Sequence, residues 1–359
     1  MKATLSDRLS RLIRQDVQSM HAYAVQDATG MIKLDAMENP FGLPAELQAE
    51  LGRRLGAVEL NRYPGERIEV LRQALARHAQ LPEGCALMLG NGSDELISLI
   101  AMACDVPGAS ILAPQPGFVM YAMSAQLQGL KFIGVDLTPD FELDEAAMLA
   151  AIEQHQPSIV YLAYPNNPTA NLWDDAAIER IVQAAPGLVV IDEAYQPFSS
   201  RSYLDRLARH PHVLLMRTMS KFGLAGVRIG YMMGARALIE QIDKVRPPYN
   251  VSVLNAEAAL FALEHASVYE DQAASLREQR AALMQALAAM PQLRAWPSDA
   301  NMILVRVPDA AAAFEGMKRH GVLVKNVSKM HSLLANCLRL TVGTPEENAR
   351  MLVALQASL

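Results

Sequence analysis

Short apolar runs alternate with segments of helical composition through the middle of the chain, and this alternation restricts the possible folds most strongly. The apolar runs indicate buried strands at residues 110–113, 158–163, 188–191 and 213–216. Segments of helical composition separate them, as at 174–185 and 202–209. Strands that alternate with helices require crossover connections, which build a mostly parallel sheet with helices on both faces. We therefore predict an α/β fold.

A change of pattern after residue 248 predicts a second, smaller unit. Pro247 and Pro248 interrupt the alternation, and residues 254–290 are dense in residues of strong helix propensity, which predicts one long linking helix. Apolar patterning then predicts strands at 301–307 and 337–342 and a closing helix at 345–357. We predict a large domain at 37–248, followed by a linker helix and a small domain at 249–359. An N-terminal arm at 1–36 is expected to form part of the small domain.

Composition excludes several classes of protein. Of the 359 residues 51% are hydrophobic, so disorder is not expected. The net charge of −6 comes without a basic block, which gives no reason to expect nucleic acid or an anionic membrane as a partner. Cys85, Cys104 and Cys337 are widely spaced and form no CxxC pair, which argues against a disulfide framework and against a zinc site. We expect no bound metal.

The chain shows no pattern of secretion or membrane insertion. Its first twenty residues are polar and charged, without the apolar centre of a signal peptide. The longest clearly apolar stretch, Leu96 to Cys104, is too short to cross a bilayer. These features predict a soluble, cytoplasmic protein.

Polar residues of a particular kind follow three of the predicted strands. Residues 164–169, which include Asn167, follow the first, residues 192–195 follow the second, and residues 217–221 follow the third. Ligands of an open parallel sheet bind outside the carboxyl ends of its strands. We therefore expect the three loops to converge on one crevice, where they bring together an amide, a carboxylate, a phenol, a hydroxyl and an amine.

This set of groups suits a pyridinium cofactor. Asp192 can pair with a protonated ring nitrogen and keep the ring an electron sink, and Tyr195 and Asn167 can hydrogen-bond the phenolic oxygen of the ring. Lys221 can form a Schiff base and then move a proton between the substrate α-carbon and the cofactor. Taken singly, Asp192 is more often a helix N-cap and Lys221 a solvated surface lysine. Three such strand ends in series favour the cofactor site.

The phosphate of such a cofactor needs its own binding site, and two segments can supply it. Residues 89–95, Leu-Gly-Asn-Gly-Ser-Asp-Glu, lead into an apolar helical run. Glycines let the backbone approach an anion, and the free N–H groups at a helix start bind it, although a Gly-x-Gly alone is more often just a turn. Ser220 and Arg228 add a hydroxyl and a guanidinium close to Lys221 in the sequence, and arginine can bind phosphate with two hydrogen bonds.

The order and spacing of these motifs resemble a known family. Tyr-Pro-Asn-Asn-Pro-Thr from residue 164, Asp-Glu-Ala-Tyr from 192 and Ser-Lys-x-Gly-Leu-Ala-Gly-x-Arg from 220 resemble the motifs of fold-type I aminotransferases. Four more segments narrow the resemblance to the histidinol-phosphate aminotransferase family: Asn-Pro-Phe-Gly from 39, Asn-Arg-Tyr-Pro from 61, Gly-Ser-Asp-Glu from 92 and Cys-Leu-Arg-Leu-Thr-Val-Gly-Thr-Pro-Glu-Glu from 337. The resemblance implies a large domain with a mostly parallel mixed sheet between helices, a smaller α+β domain, and pyridoxal 5′-phosphate as the cofactor.

The resemblance also implies roles for individual residues, and it supports those just given for Lys221, Asp192, Tyr195 and Asn167. The backbone of Ser93 and Asp94 would meet the cofactor phosphate, together with the side chains of Ser220 and Arg228. Phe118 falls where the family places an aromatic ring stacked on the cofactor, and ordinary core packing is the alternative.

Further positions match residues that bind the substrate or a second subunit. Tyr63 matches a tyrosine that reaches the phosphate site of the neighbouring subunit, which implies a homodimer with shared active sites. Arg339 matches the arginine that receives the anionic end of the substrate, and Tyr23 matches a tyrosine that closes over it. Asn39 and Lys325 complete the expected substrate-binding set.

Two positions depart from the family pattern. The family motif Asn-Pro-Thr-Gly ends here in Ala170, which should be tolerated unless the position demands a positive φ. Lys325 stands where the family commonly has a second arginine for the substrate phosphate. Lysine keeps the positive charge but loses the planar two-pronged geometry of arginine.

The reaction implied by the resemblance is a ping-pong amino transfer in histidine biosynthesis. The cofactor is first held by Lys221 as an internal aldimine. Glutamate gives its amino group to this cofactor and is released as 2-oxoglutarate. The aminated cofactor then converts imidazole-acetol phosphate into histidinol phosphate. Three alternatives stay open: an aromatic amino-acid aminotransferase in which Arg339 holds an α-carboxylate, a decarboxylase of a phosphorylated amino acid, and a non-catalytic binding module. The intact set of Lys221, Asp192 and Tyr195 argues against the binding module.

Overall fold

The computed structural model describes residues 4–20 and 26–359 and consists of a large sheet between helices and a smaller layer of strands and helices. The strands are β1 (Ile32–Lys33), β2 (Cys85–Gly90), β3 (Ser110–Gln115), β4 (Lys131–Asp136), β5 (Ile159–Ala163), β6 (Leu188–Asp192), β7 (Val213–Thr218), β8 (Gly230–Ala235), β9 (Arg294–Ala295), β10 (Met302–Arg306), β11 (Val322–Leu323), β12 (Lys325–Asn326) and β13 (Cys337–Thr341).

The α-helices are α1 (Leu5–Leu12), α2 (Gln15–Ser19), α3 (Ala45–Gly56), α4 (Glu66–His78), α5 (Ser93–Ala103), α6 (Val119–Gln128), α7 (Glu145–His155), α8 (Asp175–Ala184), α9 (Leu204–Leu207), α10 (Arg236–Ile242), α11 (Val253–Glu264), α12 (Ala266–Ala288), α13 (Ala310–Arg319) and α14 (Pro345–Gln356). No helix within the described residues is both long and apolar enough to span a bilayer.

Seven strands form the large sheet, in the order β2-β8-β7-β6-β5-β3-β4. Strand β8 runs antiparallel to both of its neighbours, and the other neighbouring pairs are parallel. The mostly parallel, mixed sheet expected from the sequence is confirmed. Because β2, β3, β5, β6 and β7 point the same way, their carboxyl ends lie along one edge of the sheet.

Both faces of this sheet are covered, which explains why its strands are apolar throughout rather than alternating. Along β5, Val160 and Leu162 pack into one core and Ile159 and Tyr161 into the other. Helices α4, α7, α8 and α11 contribute to the first core, and α5, α6 and α10 to the second. The central strands are therefore rigid supports for the loops at their carboxyl ends.

A smaller layer is built on an antiparallel sheet in the order β12-β13-β10-β9, with a separate parallel pair of β1 and β11. Its core combines strand residues such as Ile303 and Leu340 with residues of α12, α13 and α14, and with Leu34 from the N-terminal side. The domain boundaries at 36/37 and 248/249 stay a prediction. Helix α11, which follows the second boundary, packs its buried Ala259 and Leu260 into a core of the large sheet.

Two sequence-based predictions about helices are wrong, and tertiary contacts explain both. The predicted helix at 254–290 is two helices, α11 and α12, separated at His265, whose φ of −114° and ψ of 35° are not helical. Helix propensity is continuous along the segment. However, α11 packs with α4 in a core of the large sheet, whereas α12 extends to the core of the small layer, and this difference in packing overrides propensity. The predicted helix at 202–209 is only the single turn α9, which begins at Leu204 because Ser202 and the backbone N–H of Tyr203 bind the carboxylate of Glu193.

Candidate active site

A cavity of about 350 Å³ lies at the carboxyl ends of the central strands, and most of the predicted site residues line it. Those residues are Ser93, Asp94, Phe118, Asn167, Asp192, Tyr195, Ser220, Lys221 and Arg228. The cavity is large enough for a cofactor of modest size. The structure therefore brings together in one space the amide, carboxylate, phenol, hydroxyl and amine that the sequence predicted.

Asp192 ends strand β6 and is buried, with 4% of its surface exposed. Its Oδ1 atom accepts a hydrogen bond from the backbone N–H of Ala194 at 3.0 Å, and its Oδ2 atom accepts one from the hydroxyl of Tyr121 at 2.7 Å. Burial raises the pKa of Asp192 to about 6, although both hydrogen bonds act in the opposite direction. A cationic partner in the cavity would remove this cost and hold the carboxylate ionised.

Tyr195, Asn167 and Arg339 form a continuous hydrogen-bonded chain beside Asp192. The Nδ2 atom of Asn167 donates to the hydroxyl of Tyr195 at 3.0 Å, and Nη1 of Arg339 donates to Oδ1 of Asn167 at 2.8 Å. A second nitrogen of Arg339, Nη2, donates to the carbonyl of Asp35 at 2.7 Å. Burial raises the pKa of Tyr195 well above its usual value, so its hydroxyl remains a donor. These hydrogen bonds connect Arg339, on strand β13 of the small sheet, to Tyr195 in the lining of the cavity.

Lys221 lies on a short helical turn after strand β7, with its amine in the cavity. Its Nζ atom donates to the carbonyl of Ala36 at 3.0 Å and lies 5.8 Å from the centre of the Tyr195 ring. Burial, followed by the positive charge of Arg339, lowers the pKa of the Lys221 amine to about 8. A substantial fraction of this amine is therefore neutral near pH 7.5, as a nucleophile or a proton acceptor must be.

The start of helix α5 forms an open cradle at one end of the cavity. Gly92 is the N-cap residue with a φ of 82°, and no side chain caps the helix. A Cβ atom on Gly92 would lie 2.6 Å from Nη2 of Arg228, and a Cβ on Gly230 would lie 2.6 Å from the backbone nitrogen of Ser93. The two glycines therefore allow the guanidinium and strand β8 to approach the helix start closely, as the sequence predicted for an anion site.

These groups fit the phosphate and the ring of pyridoxal 5′-phosphate. Free N–H groups at the start of α5, the hydroxyl of Ser220 and the guanidinium of Arg228 are donors for an anion. The buried carboxylate of Asp192, which also lines the cavity, suits a cationic ring nitrogen. The aromatic ring of Phe118 lines the same cavity and meets Tyr121 edge-on, with centroids 5.6 Å apart.

Four predicted residues lie outside this lining, and a fifth, Tyr23, lies outside the described residues. Arg339 reaches the cavity through Asn167 rather than lining it. Lys325 is the cross-strand neighbour of Arg339, with β12 paired to β13, so the two cations lie side by side in the small sheet. The amide of Asn39 binds Gln272 and the backbone N–H of Phe41.

The fourth of these residues, Tyr63, is on the surface and 76% exposed. Its ring stacks on that of Tyr249, with centroids 4.2 Å apart and an angle of 13° between the planes. It does not line the cavity of its own chain.

Sequence reasoning missed Tyr121 and Glu38, which also line the cavity. Tyr121 lies three residues after Phe118, a spacing that places two side chains on the same side of a helical turn, and this spacing could have identified it. Glu38 is paired with Lys33 at 2.5 Å. No sequence pattern distinguishes Glu38 from an ordinary surface acid.

Ala170 has a φ of 67°, so the condition under which alanine would be unfavourable is met. The residue is fully buried, and its N–H donates to the carbonyl of Asn166 at 2.8 Å. An alanine in the left-handed region costs about 1 kcal/mol, which is close to the gain from burying its methyl group. Alanine and glycine at position 170 should therefore give the folded chain about the same stability.

Replacing Ala170 with glycine should therefore change stability little. We expect the free energy of unfolding to fall by less than about 0.5 kcal/mol, because relief of the left-handed backbone offsets the lost methyl group. The control is Ala259→Gly, which removes the same buried methyl from the interior of α11 and should cost at least about 1 kcal/mol. Urea unfolding of both variants measures the difference, and equal losses would contradict the backbone argument.

Comparisons with known proteins agree with this geometry. The family described as aminotransferase class I and II matches residues 29–355. The histidinol-phosphate aminotransferase of Polaromonas naphthalenivorans is 73% identical over 360 residues, with 99% of each chain covered. That of Methylibium petroleiphilum is 72% identical over 358 residues, covering 99% of this chain and 96% of the relative.

A solved structure is similar over nearly its whole length. The histidinol-phosphate aminotransferase of Sinorhizobium meliloti in complex with pyridoxal 5′-phosphate superimposes with a TM-score of 0.84 at 25% identity, covering 96% of each chain. Fold, motif positions and sequence identity therefore agree. The chain belongs to the aminotransferase class I and II family and, within it, to the histidinol-phosphate aminotransferases.

Proposed function

We propose that this chain is a pyridoxal 5′-phosphate-dependent aminotransferase that moves an amino group between glutamate and imidazole-acetol phosphate, with histidinol phosphate as the product in histidine biosynthesis. One observation carries the proposal. The amine of Lys221, which follows β7, shares a cavity with the carboxylate of Asp192 and the phenol of Tyr195 at the end of β6.

The bound cofactor supplies an electron sink for the carbanion formed at the substrate α-carbon. Asp192 would pair with its ring nitrogen, and Tyr195 and Asn167 would bind its phenolic oxygen. Ser220, Arg228 and the N–H groups of Ser93 and Asp94 would hold its phosphate, and Phe118 would cover its ring. These roles are proposals supported by the position of each residue around the cavity.

Lys221 has two tasks in this proposal. It is the attachment point of the cofactor, and its amine then carries the proton between the substrate α-carbon and the cofactor. The lowered pKa of about 8 supports both tasks because the neutral amine is the reactive form. The hydrogen bond from Nζ to the carbonyl of Ala36 keeps the amine inside the cavity.

The anionic end of the substrate would bind at the small-sheet side of the cavity. Arg339 is held in place there by Asn167 and by the carbonyl of Asp35, and Lys325 adds a second positive charge beside it. Two cations suit a phosphate dianion better than a carboxylate. Tyr23 and Asn39 would complete the substrate site.

A homodimer with shared active sites is the proposed assembly, in the cytoplasm. Tyr63 supports it, because an exposed phenol stacked on Tyr249 lies away from the cavity of its own chain and is available to a neighbouring subunit. Leu60 and Leu254 add exposed apolar surface from the same two segments of the chain. Exposed apolar residues grouped in this way are typical of a subunit interface.

A substrate panel tests the proposed function. Purified protein with cofactor should transaminate histidinol phosphate with 2-oxoglutarate at a kcat/KM roughly 100-fold above that for phenylalanine, tyrosine or aspartate, because only the phosphate can satisfy both Arg339 and Lys325. Preferential turnover of phenylalanine or tyrosine would contradict the substrate assignment. Release of carbon dioxide without consumption of 2-oxoglutarate would identify a decarboxylase instead.

A further inference from the structure

Asp192 is held by a phenol that none of the sequence motifs includes. Tyr121 lies on α6, is 2% exposed, and donates from its hydroxyl to Oδ2 of Asp192 at 2.7 Å. Its ring stacks on that of Tyr161, with centroids 4.3 Å apart and an angle of 9° between the planes. Because the stack fixes the plane of the ring, the hydroxyl has a defined direction toward the carboxylate.

The two oxygens of Asp192 are held separately. Oδ2 accepts the Tyr121 hydroxyl and Oδ1 accepts the backbone N–H of Ala194. Two donors on two oxygens fix the plane of the carboxylate, and the side chain still lines the cavity. Both donors are neutral, so they favour the ionised form without cancelling its charge.

We propose that Tyr121 is a positioning residue for amino transfer, whose hydroxyl keeps Asp192 ionised and oriented toward the ring nitrogen of the cofactor. This inference rests on the proposed function, because only a cofactor with a cationic ring nitrogen requires a buried, ionised carboxylate here. A lysine or arginine in place of Tyr121 would hold the carboxylate as firmly, but its charge would compete with the ring nitrogen. A neutral donor avoids that competition.

The surroundings of Asp192 show why such a donor is needed. The titratable groups that act on Asp192 or on its phenol are two carboxylates and three phenols: Asp94, Glu193, Tyr121, Tyr161 and Tyr195. Burial and the two carboxylates all raise the pKa of Asp192. The pKa values of the phenols are raised by burial, so they carry no charge near neutral pH. The Tyr121 hydroxyl is therefore the side-chain group that opposes protonation of Asp192.

The first test titrates Asp192 in the apoprotein by NMR of ¹³C-labelled aspartate carboxyls, with Asp192→Asn to assign the resonance. Tyr121→Phe removes only the hydroxyl and should raise the midpoint by about one pH unit. The matched control is Tyr161→Phe, which removes the hydroxyl of the stacked partner, an atom without a hydrogen bond within the described structure. This control should leave the midpoint unchanged.

The second test measures the holoenzyme. In Tyr121→Phe, kcat/KM for histidinol phosphate should fall about 10-fold, since Asp192 then keeps only one of the two donors that orient it toward the ring nitrogen. The Tyr161→Phe enzyme should keep the wild-type kcat/KM. A Tyr121→Phe protein with the wild-type apoprotein titration and the wild-type kcat/KM would overturn the inference. Failure of the substrate panel would overturn the proposed function and leave the apoprotein titration to be judged separately.

Discussion

Replacing Lys221 with alanine is expected to lower kcat for transamination of histidinol phosphate by at least about 10⁴-fold, because it removes both the attachment point of the cofactor and the group that moves the proton. Lys221→Arg is the matched control. It keeps a positive charge of similar reach in the cavity but cannot deprotonate near neutral pH. Both variants should be equally inactive if the reactive amine is what matters.

The absorbance spectrum gives an independent measurement on the same proteins. The visible absorbance of covalently held cofactor should be present in the wild-type protein and lost in both variants. Retention of more than about 1% of wild-type turnover in Lys221→Ala would contradict the role proposed for this residue, since general acid–base catalysis alone contributes at least about 100-fold.

Replacing Asp192 with asparagine should lower kcat/KM by about 10³-fold. The amide keeps the size of the side chain but removes the negative charge that would stabilise the protonated ring nitrogen in a buried site. Asp192→Glu retains the charge and is the control, with an expected loss smaller than that of asparagine. Steady-state kinetics on both variants at saturating cofactor measure the effect, and equal losses would point to packing rather than charge.

The same aspartate predicts how the stability of the apoprotein depends on pH. Its pKa in the folded chain, about 6, lies above the unfolded value of 3.8. Protonation of Asp192 therefore stabilises the folded chain. This contribution to the free energy of unfolding is fully present below pH 3.8 and is lost as pH rises through 6. A difference of about 2 pH units corresponds to about 3 kcal/mol. Urea unfolding between pH 5 and 7.5 should show wild-type apoprotein losing roughly half of this stability, about 1.4 kcal/mol, relative to Asp192→Asn, and parallel curves would contradict the burial argument.

The positions of Asn167, Asp192 and Lys221 could be predicted because a parallel sheet brings the carboxyl ends of its strands together whatever lies between them. A buried strand followed by a polar residue is visible in the sequence. The same reasoning located the anion site at the start of α5 from its glycines. Local patterns were sufficient wherever the backbone alone fixes the position of a group.

The features that were missed depend on contacts between distant segments. Tyr121 reaches Asp192 from 71 residues away, so its spacing from Phe118 could place it near the cavity but could not identify Asp192 as its partner. The break at His265 reflects which core each half of the segment packs against, and helix propensity contains no such information. The positive φ of Ala170 is likewise set by its surroundings, since alanine itself gives no indication of a left-handed turn.

The close approach of Gly230 to the first residues of α5 limits how this protein can vary. Main chain meets main chain there, without an intervening side chain that could change its rotamer to make room. Any bulkier residue at position 230 would displace the helix start and all of its N–H donors as a group. Adaptation to a different anion must therefore come from exchangeable side chains at the rim, such as Ser220 and Arg228, while the peptide scaffold beneath them stays constant.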